Sequence, residues 1–309
     1  MLRSLGILEE IETKRRYTLG PRCLVGRHAS CDLSFADPRV SGEHAIVRWV
    51  DGRWELKDLA SRNGTFLNKR RLSPGERVTL GPGDVVTLGG PGAGFILADA
   101  SAPAPTARHG TTGEVRVATD QVLVLPDEER PIATVFEDAA GRWVVEREDG
   151  AVPVNDHDLV LVEGEPWVLE LPVGLRSTWD ASAGRMIETI GLRFSVSPDE
   201  EHVDVTLFDD RGALSLPSRS FHYLLLTLAR LRKGDAATAV EDRGWADREA
   251  LCRMLGVDAL KLNVDICRAR KQLGELGVHG AAGLIERRAG SGQVRIGVDR
   301  LEIDVRGRP

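Results

Sequence analysis

Short runs of alternating apolar and polar residues cover the first third of the chain, and this period of two predicts β-strands. Residues 45–59 contain two such runs on either side of Asp51-Gly52, which is a typical hairpin turn. Residues 77–88 contain two more runs, separated by Gly-Pro-Gly. Many short strands joined by Gly- and Pro-rich turns predict an all-β sandwich over residues 1–97.

Residues 114–172 show the same strand-like pattern, and two of their strings resemble strings of the first segment. Gly-Arg-Trp at 141–143 repeats Gly-Arg-Trp at 52–54, and residues 158–162 have the apolar pattern of residues 84–88. Two interpretations stay open for this small β-rich module: a degenerate internal repeat of the first segment, or an unrelated β fold.

Two stretches offer little that could be buried and are predicted to be linkers. Residues 98–113 are rich in Ala, Pro, Ser and Thr, and the apolar periodicity fades over residues 173–189. We therefore expect three units, over residues 1–97, 114–172 and 190–309.

The pattern changes in the third unit, where two strand-like runs are followed by helical periodicity. Helices are predicted over residues 218–232, 247–255 and 258–276, with Ser218 as the cap of the first. A hairpin is predicted over residues 285–296. Strands, three helices and a terminal hairpin are typical of a winged helix-turn-helix, so the fold class is multidomain α+β.

The distribution of charge separates the same segments. Residues 1–113 carry 16 basic and 12 acidic side chains, residues 114–211 carry 8 and 23, and residues 212–309 carry 17 and 12. A strongly acidic middle segment thus lies between two mildly basic ones, which supports three units rather than one.

Composition excludes several classes of protein. No apolar run reaches the roughly 18 residues that a membrane-spanning helix needs, and the first residues do not resemble a signal peptide. The four cysteines form no C-x-x-C pair and the histidines lack metal-ligand spacing, so we expect reduced thiols in a cytoplasmic protein, without metal or cofactor. Because no P-loop, nucleophile elbow, zinc-protease or kinase motif is present, we expect no enzymatic activity.

Three strings carry the candidate chemistry of the first unit. They are Val-Gly-Arg at 25–27, Ser-Gly-Glu-His at 41–44 and Ser-Arg-Asn-Gly-Thr at 61–65. In this order and spacing they resemble the forkhead-associated (FHA) domain, a β-sandwich that reads phosphothreonine in partner proteins. A phosphate needs fixed cations, a hydroxyl donor and backbone N–H groups from tight turns, and these strings supply all three.

The resemblance implies a role for each residue of the strings. Arg27 and Ser41 would contact the phosphate, with a backbone donor from Gly42, and Arg62 would reach it as well. Asn63 would hold the backbone of the partner.

The remaining residues of the strings have supporting roles by the same resemblance. Gly26 and His44 would be structural, and Gly64 would permit a tight turn. Arg39, two residues before Ser41, is expected to read an acidic residue of the partner. The middle module has none of these strings, so we expect it not to bind phosphate.

The third unit resembles the winged-helix output domain of OmpR/PhoB-type response regulators. The resemblance rests on Ile266-Cys-Arg-Ala-Arg-Lys-Gln-Leu273, which is similar to that family's recognition helix, and on the hairpin over residues 284–296. Helical spacing places Leu262, Ile266, Ala269 and Leu273 in the core and Lys261, Asp265, Arg268 and Gln272 on the opposite stripe, which would enter a DNA major groove. The residues expected to meet DNA phosphates beside it are Arg270, Lys271, Arg287, Arg288 and Arg295.

Two functions follow from these observations. The first is a phosphothreonine-binding signalling protein that regulates transcription downstream of a Ser/Thr kinase, with a threonine-phosphorylated protein and double-stranded DNA as partners. The phosphothreonine could also come from the chain itself, at Thr106, Thr111 or Thr112 of the predicted linker. The second is a phosphoprotein adaptor whose winged helix contacts protein, an alternative that Asp265 and the acidic middle segment favour. Whether the protein forms a homodimer stays open.

Overall fold

The computed structural model describes residues 6–138, 140–172, 185–235 and 237–305, which form two β-sandwiches followed by a mixed α/β unit. Most elements are strands, and helices occur only in the last unit of the described chain. None of the described helices combines the length and the apolar character that crossing a bilayer would require.

The first sandwich contains eleven strands in two sheets. The six-stranded sheet has the order β2-β1-β11-β10-β7-β8 and the five-stranded sheet the order β4-β3-β5-β6-β9. Their bounds are β1 Ile7–Glu10, β2 Arg16–Thr18, β3 Arg22–Gly26, β4 Leu33–Ser34, β5 Ala45–Val50, β6 Arg53–Asp58, β7 Thr65–Leu67, β8 Arg70–Arg71, β9 Arg77–Leu80, β10 Val85–Leu88 and β11 Gly94–Asp99. The predicted all-β sandwich is therefore confirmed.

Alternation along β6 shows how the sequence builds this sandwich. Trp54, Leu56 and Asp58 point into the protein and are buried, whereas the residues between them are not. The indole of Trp54 donates to the carbonyl of Ser101 at 3.0 Å, which satisfies its N–H inside the core.

The second sandwich consists of two four-stranded sheets, ordered β13-β12-β19-β18 and β14-β15-β16-β17. Their bounds are β12 Thr106–His109, β13 Val115–Val117, β14 Leu123–Pro126, β15 Pro131–Glu137, β16 Trp143–Arg147, β17 Gly150–Pro153, β18 Leu159–Val162 and β19 Glu165–Glu170. Aliphatic residues and Trp167 fill the space between the two sheets.

The two sandwiches share a strand order. The sheet β13-β12-β19-β18 corresponds to β2-β1-β11-β10, and the sheet β14-β15-β16-β17 corresponds to β3-β5-β6-β9. The described part of the second sandwich has no counterpart of β4, β7 or β8, the strands next to the loops that carry the three motif strings. This shared strand order is what an internal repeat predicts.

Hydrogen bonds around one aspartate match in the two sandwiches. Asp84 accepts from the backbone of Gly81 through its carboxylate at 2.7 Å and from Leu97 through its carbonyl at 3.1 Å. Asp158 accepts in the same way from Asn155 at 2.7 Å and from Leu169 at 2.9 Å. This shared detail also favours the repeat.

The third unit packs three helices against a four-stranded sheet ordered β23-β22-β21-β27. The bounds are β20 Arg185–Met186, β21 Gly191–Val196, β22 Val203–Asp209, β23 Gly212–Ser215, α1 His222–Gly234, α2 Arg248–Leu255, α3 Ala259–Glu275, β24 Val278–His279, β25 Ile285–Arg287, β26 Val294–Ile296 and β27 Arg300–Val305. β20 pairs with β24, and β25 with β26 in the predicted hairpin.

Two of the three predicted helices have the capping residues at their N-termini that define where a helix begins. The side chains of Asp247 and Asp258 cap α2 and α3, and Gly256 ends α2 with a left-handed conformation. Ser218 does not cap α1, because α1 begins only at His222 and its N-cap, Phe221, has no side-chain hydrogen bond.

The first predicted linker contains strand residues in the structure. Residues 98–113 include the end of β11 and all of β12, so Thr106 is a buried strand residue. Thr111 and Thr112 lie exposed in the turn after β12. Most of the second predicted linker, residues 173–184, lies outside the described residues.

Candidate functional site

Three loops meet at one end of the first sandwich and bring the three predicted strings together. The backbone N–H groups of Arg27 and His28 donate to the carbonyls of Ser41 and Gly42 at 2.8 and 3.0 Å. The backbone N–H of Arg62 donates to the hydroxyl of Ser41 at 3.1 Å. Since the Ser41 oxygen accepts this bond, its own hydrogen remains free to donate to an oxyanion.

Asn63 is fixed within the same loops. Its side-chain amide donates to the carbonyl of Arg39 at 2.8 Å. The carbonyl of Gly64 accepts from the backbone of Gly89 at 2.9 Å, so the third loop is also attached to the end of β10. Asn63 is exposed, and among the described residues its other amide hydrogen and its side-chain oxygen have no partner, so both are available for a ligand backbone.

His44 is fully buried beneath the loops. Its Nδ1 accepts the backbone N–H of Ser41 at 3.0 Å, and its Nε2 lies 3.2 Å from the carbonyl of Gly64. Both bonds form only when the ring is neutral with its proton on Nε2. Burial lowers the pKa of His44, which favours this neutral form. The ring therefore has the bracing position expected for it.

Asp58, which the sequence analysis did not single out, supports the third loop from below. Its carboxylate accepts from the Ser61 hydroxyl and the Thr65 hydroxyl, each at 2.6 Å, and from the Ser61 backbone at 3.1 Å. Burial alone would raise the pKa of Asp58, but the hydrogen bonds from Ser61 and Thr65 outweigh burial and lower it. The Asp-x-x-Ser spacing, which lets an aspartate accept from the backbone N–H three residues later, was the available signal.

Gly26 lies where two loops touch. A Cβ atom on Gly26 would lie 2.1 Å from the carbonyl oxygen of Gly42 and 2.9 Å from the sulfur of Cys31. Gly64 has φ of +88°, and a Cβ atom there would lie 2.5 Å from Nε of Arg71. Both positions therefore require glycine, in agreement with their predicted structural roles.

Exposed arginines lie on or next to the loops that carry the three strings. Arg27 is exposed and donates from Nε to the carbonyl of Val40 at 3.2 Å. Within the described residues, the guanidinium of Arg62 makes no hydrogen bond or ion pair. Arg71 lies against Gly64 and adds a cation that the sequence analysis missed, although it follows the third string closely.

Arg39 has a partner within the protein. It donates to Asp37 from Nη2 at 2.6 Å and from Nε at 3.1 Å, and these bonds hold the pKa of Asp37 at about 2. An acidic residue of a ligand would therefore compete with Asp37 for Arg39. Together the site offers exposed cations, a free hydroxyl hydrogen and ordered backbone turns, which suit a dianionic phosphate.

The C-terminal residues predicted to meet DNA are placed differently. Leu262, Ile266, Ala269 and Leu273 are buried in the core as predicted. On the predicted groove stripe only Arg268 is exposed, whereas Lys261 is half-buried and Asp265 and Gln272 are buried. The prediction that this stripe faces outward is therefore wrong for Asp265 and Gln272.

Contacts on that stripe explain its burial. Gln272 donates to the carbonyl of Pro217 at 2.7 Å, and its Oε1 lies 3.0 Å from Nε2 of the buried His222. Lys261 and Asp265 form an ion pair with each other. Gln272 therefore packs inside the third unit, whereas Arg268 of the same stripe is exposed.

Three predicted phosphate contacts instead meet carboxylates of the second sandwich. Arg270 donates to both oxygens of Glu146 at 2.8 and 2.9 Å, and Arg287 donates to the same carboxylate at 3.0 Å. Lys271 pairs with Glu128. In the observed arrangement these cations are covered, which corrects the prediction that they are exposed for DNA.

The two hairpin cations also have partners. Arg288 pairs with Asp242 at 2.8 Å and Arg295 with Glu286 at 2.6 Å. Both guanidinium groups lie over the ring of Trp245, at 5.4 and 4.5 Å from its centroid.

Comparison with known proteins supports the interpretation of the first sandwich. The model of the FHA domain matches residues 23–89, which contain all three strings and the loops described above. An FHA domain-containing protein of Arabidopsis thaliana is 38% identical over 74 residues, covering 24% of this chain and 19% of the relative. The oxoglutarate dehydrogenase inhibitor of Corynebacterium diphtheriae is 37% identical over 76 residues, covering 23% and 53%.

Parts of the chain are also similar to solved structures. One, described as a structural and functional analysis of phosphothreonine-dependent FHA domain interactions, is 27% identical, with a TM-score of 0.27. The match covers 30% of this chain and 94% of that chain. The curated relatives named above are matched over about half of their length or less.

Proposed function

We propose that this protein, in which residues 23–89 form an FHA domain, is a phosphothreonine-binding signalling protein. The observation that carries the proposal is the Ser41 hydroxyl. Its oxygen accepts from the backbone N–H of Arg62, so its hydrogen is free to donate. The hydroxyl also belongs to a loop that is hydrogen-bonded to the loop of the exposed Arg27. The partner is a threonine-phosphorylated protein or a Ser/Thr kinase of the cytoplasm.

Charge supports this partner. A phosphorylated side chain carries a charge of about −1.5 to −2 and three acceptor oxygens. Hydrogen bonds between such a group and a guanidinium are shorter and stronger than neutral ones. Arg27, Arg62 and Arg71 supply these donors around Ser41, whereas Arg39 is neutralised by Asp37.

The test is binding of the full chain to a phosphothreonine peptide library, with unphosphorylated and phosphoserine versions as comparisons. Arg27→Ala should weaken binding at least about tenfold, since a hydrogen bond to a charged group contributes about 1.5–3 kcal/mol. Arg53→Ala is the matched control, because Arg53 is an exposed arginine at the opposite end of the same sandwich. Equal binding by Arg27→Ala and the wild type would refute the site.

A second function, transcription regulation through DNA, is supported by the order of strands, helices and hairpin in the third unit. It requires the second sandwich to move away, because Arg270 is 1% exposed in the observed arrangement. An adaptor that contacts protein requires no such movement. The distinguishing measurement is DNA binding by the full chain and by variants that separate the two units. Tighter binding by those variants supports the regulator, and no DNA binding by any of them supports the adaptor.

A further inference from the structure

Charges of opposite sign meet where the second sandwich covers the third unit. The cationic face of the third unit consists of Arg248, Arg270, Lys271 and Arg287, and the acidic face of the second sandwich consists of Glu128, Glu146 and Glu148. Arg248 pairs with Glu148, Lys271 with Glu128, and both other arginines share Glu146.

Glu146 is the centre of this contact. Its side chain is 5% exposed, and those of Arg270 and Arg287 are 1% and 6% exposed. One buried carboxylate thus faces two buried guanidinium groups. Burial, together with the neighbouring Arg270, lowers the pKa of Arg287.

The cationic face has more donors than the acidic face can satisfy. Among the described residues, Nε of Arg248, Nε of Arg270 and Nη1 of Arg287 are buried without a hydrogen-bond partner. Buried guanidinium donors without acceptors are costly. A row of phosphates would offer more acceptor oxygens to the same groups than the three carboxylates do.

Apolar contacts between the two units are few. One small cluster joins Val122 and Val124 to Cys267, and another joins Phe136 and Val144 to Ala282. Each unit has its own separate, larger core. Because buried ion pairs add little net stability to an interface, the contact can open without unfolding either unit.

The covered cations come from a helix and the adjacent hairpin. Arg270 and Lys271 lie on α3 and Arg287 on β25, and Arg270 Nη2 donates to the carbonyl of Ile285 at 2.5 Å, which holds helix and hairpin together. A helix beside a hairpin, with cations on both, is an arrangement that can contact a duplex through its backbone phosphates.

We propose that the cationic face is a binding surface for duplex DNA, which the acidic face of the second sandwich occupies in place of the phosphate backbone. This rests on the second proposed function. The second sandwich then serves as an intramolecular competitor, and DNA binds only when the two faces separate.

Separation can be measured at Cys267. Its side chain is buried against Val122 and Val124, and burial raises the pKa of its thiol to about 11, so alkylation in the closed form is slow. The alkylation rate of half-buried Cys252 reports a general change in the structure of the third unit. The rates of buried Cys23 and Cys31 report changes in the first sandwich.

Two variants of the full chain open the contact by different physical means. Glu146→Gln removes the shared carboxylate and leaves two buried cations unpaired. Gly274→Ala leaves the charges intact, but its Cβ would lie 2.8 Å from the backbone oxygen of Asp120, while alanine favours helix α3. The matched control is Glu163→Gln, which removes an exposed carboxylate that pairs with Arg130 of the same sandwich.

Both opening variants should increase the alkylation rate of Cys267 at least about tenfold, with Cys23, Cys31 and Cys252 unchanged. Both should also bind a random-sequence DNA duplex at least about tenfold more tightly than the wild type, with affinity that falls as salt rises. Adding Arg270→Ala and Lys271→Ala to Gly274→Ala should abolish the gain.

Each other result overturns the proposal. An unchanged alkylation rate of Cys267 in both variants means that the acidic face does not separate from the cationic face. Reactive Cys267 without increased DNA binding means that the cationic face is not a DNA surface. If the wild type itself binds DNA and the variants bind it equally well, the DNA surface lies outside the cationic face. Phosphopeptide binding, measured in parallel, tests the FHA site independently of all three.

Discussion

His44 accepts the backbone N–H of Ser41 at Nδ1, across 3.0 Å, inside the first sandwich. The bond links a residue that has no solvent contact to the loop whose hydroxyl faces the proposed phosphate. Protonation of Nδ1 would turn this acceptor into a donor, so that two N–H groups would point at each other and the hydrogen bond would be lost. The shape of the phosphate-binding loop therefore depends on the charge of a buried ring.

The first prediction concerns pH. Because burial lowers the pKa of folded His44 below its ordinary value of 6.5, the unfolded chain binds a proton more readily than the folded one. The stability that His44 contributes is complete above pH 6.5 and decreases as the pH falls toward the lower pKa of the folded state. Denaturant unfolding of the first sandwich at several pH values should show this slope.

Two variants separate His44 from other groups. His44→Gln should lower stability and flatten the slope below pH 6.5, since glutamine has no titrating group. His28→Gln changes an exposed histidine of the neighbouring loop and should leave the slope as it is. A slope that persists in His44→Gln would contradict the prediction.

The second prediction concerns Asp58. Asp58→Ala leaves the buried Thr65 hydroxyl and two donors of Ser61 without their acceptor, which should destabilise the sandwich by about 2–3 kcal/mol. Phosphopeptide binding should weaken as well, because Arg62 follows Ser61 directly. Thr65→Val removes only one of these bonds and should cost about 1 kcal/mol. Calorimetric unfolding and peptide titration measure the two effects, and equal costs for both variants would argue against a central role for Asp58.

Period-two alternation and turn residues are local signals, and they predicted four strands of the first sandwich, β5, β6, β9 and β10. The meeting of its three strings was expected from their resemblance to the FHA domain. The sequence did not reveal Arg71, which reaches Gly64 only because β8 pairs back onto β7. It also failed for Asp265 and Gln272. A helical wheel finds the side of α3 that faces its own core. It cannot show that α1 and the second sandwich also bury residues on other sides of this helix. Such burial depends on contacts between residues far apart in the chain.

The third prediction compares two glycines that face each other. Gly26→Ala would place a Cβ atom 2.1 Å from the Gly42 carbonyl oxygen, so the first and second loops must separate. We expect a loss of about 2–3 kcal/mol in stability, together with weaker phosphopeptide binding. Gly42→Ala is the control, since a Cβ atom there meets nothing within 4 Å and its backbone N–H is kept. Comparable losses in both variants would contradict the steric argument.

The fourth prediction tests the cation that sequence analysis missed. Arg71 lies beside Gly64 at the rim of the site, and within the described residues its side chain makes no ion pair. Arg71→Ala should weaken phosphothreonine-peptide binding about threefold to tenfold and reduce its salt dependence, because one cation near the phosphate is lost. Arg70→Ala alters the adjacent residue of β8, whose guanidinium is held by Glu76 at 2.9 Å, and should change affinity far less. Isothermal titration of both variants at two salt concentrations provides the measurement. If Arg70→Ala lowered the affinity as much as Arg71→Ala, the effect would come from the general charge of β8 and not from a contact at Gly64.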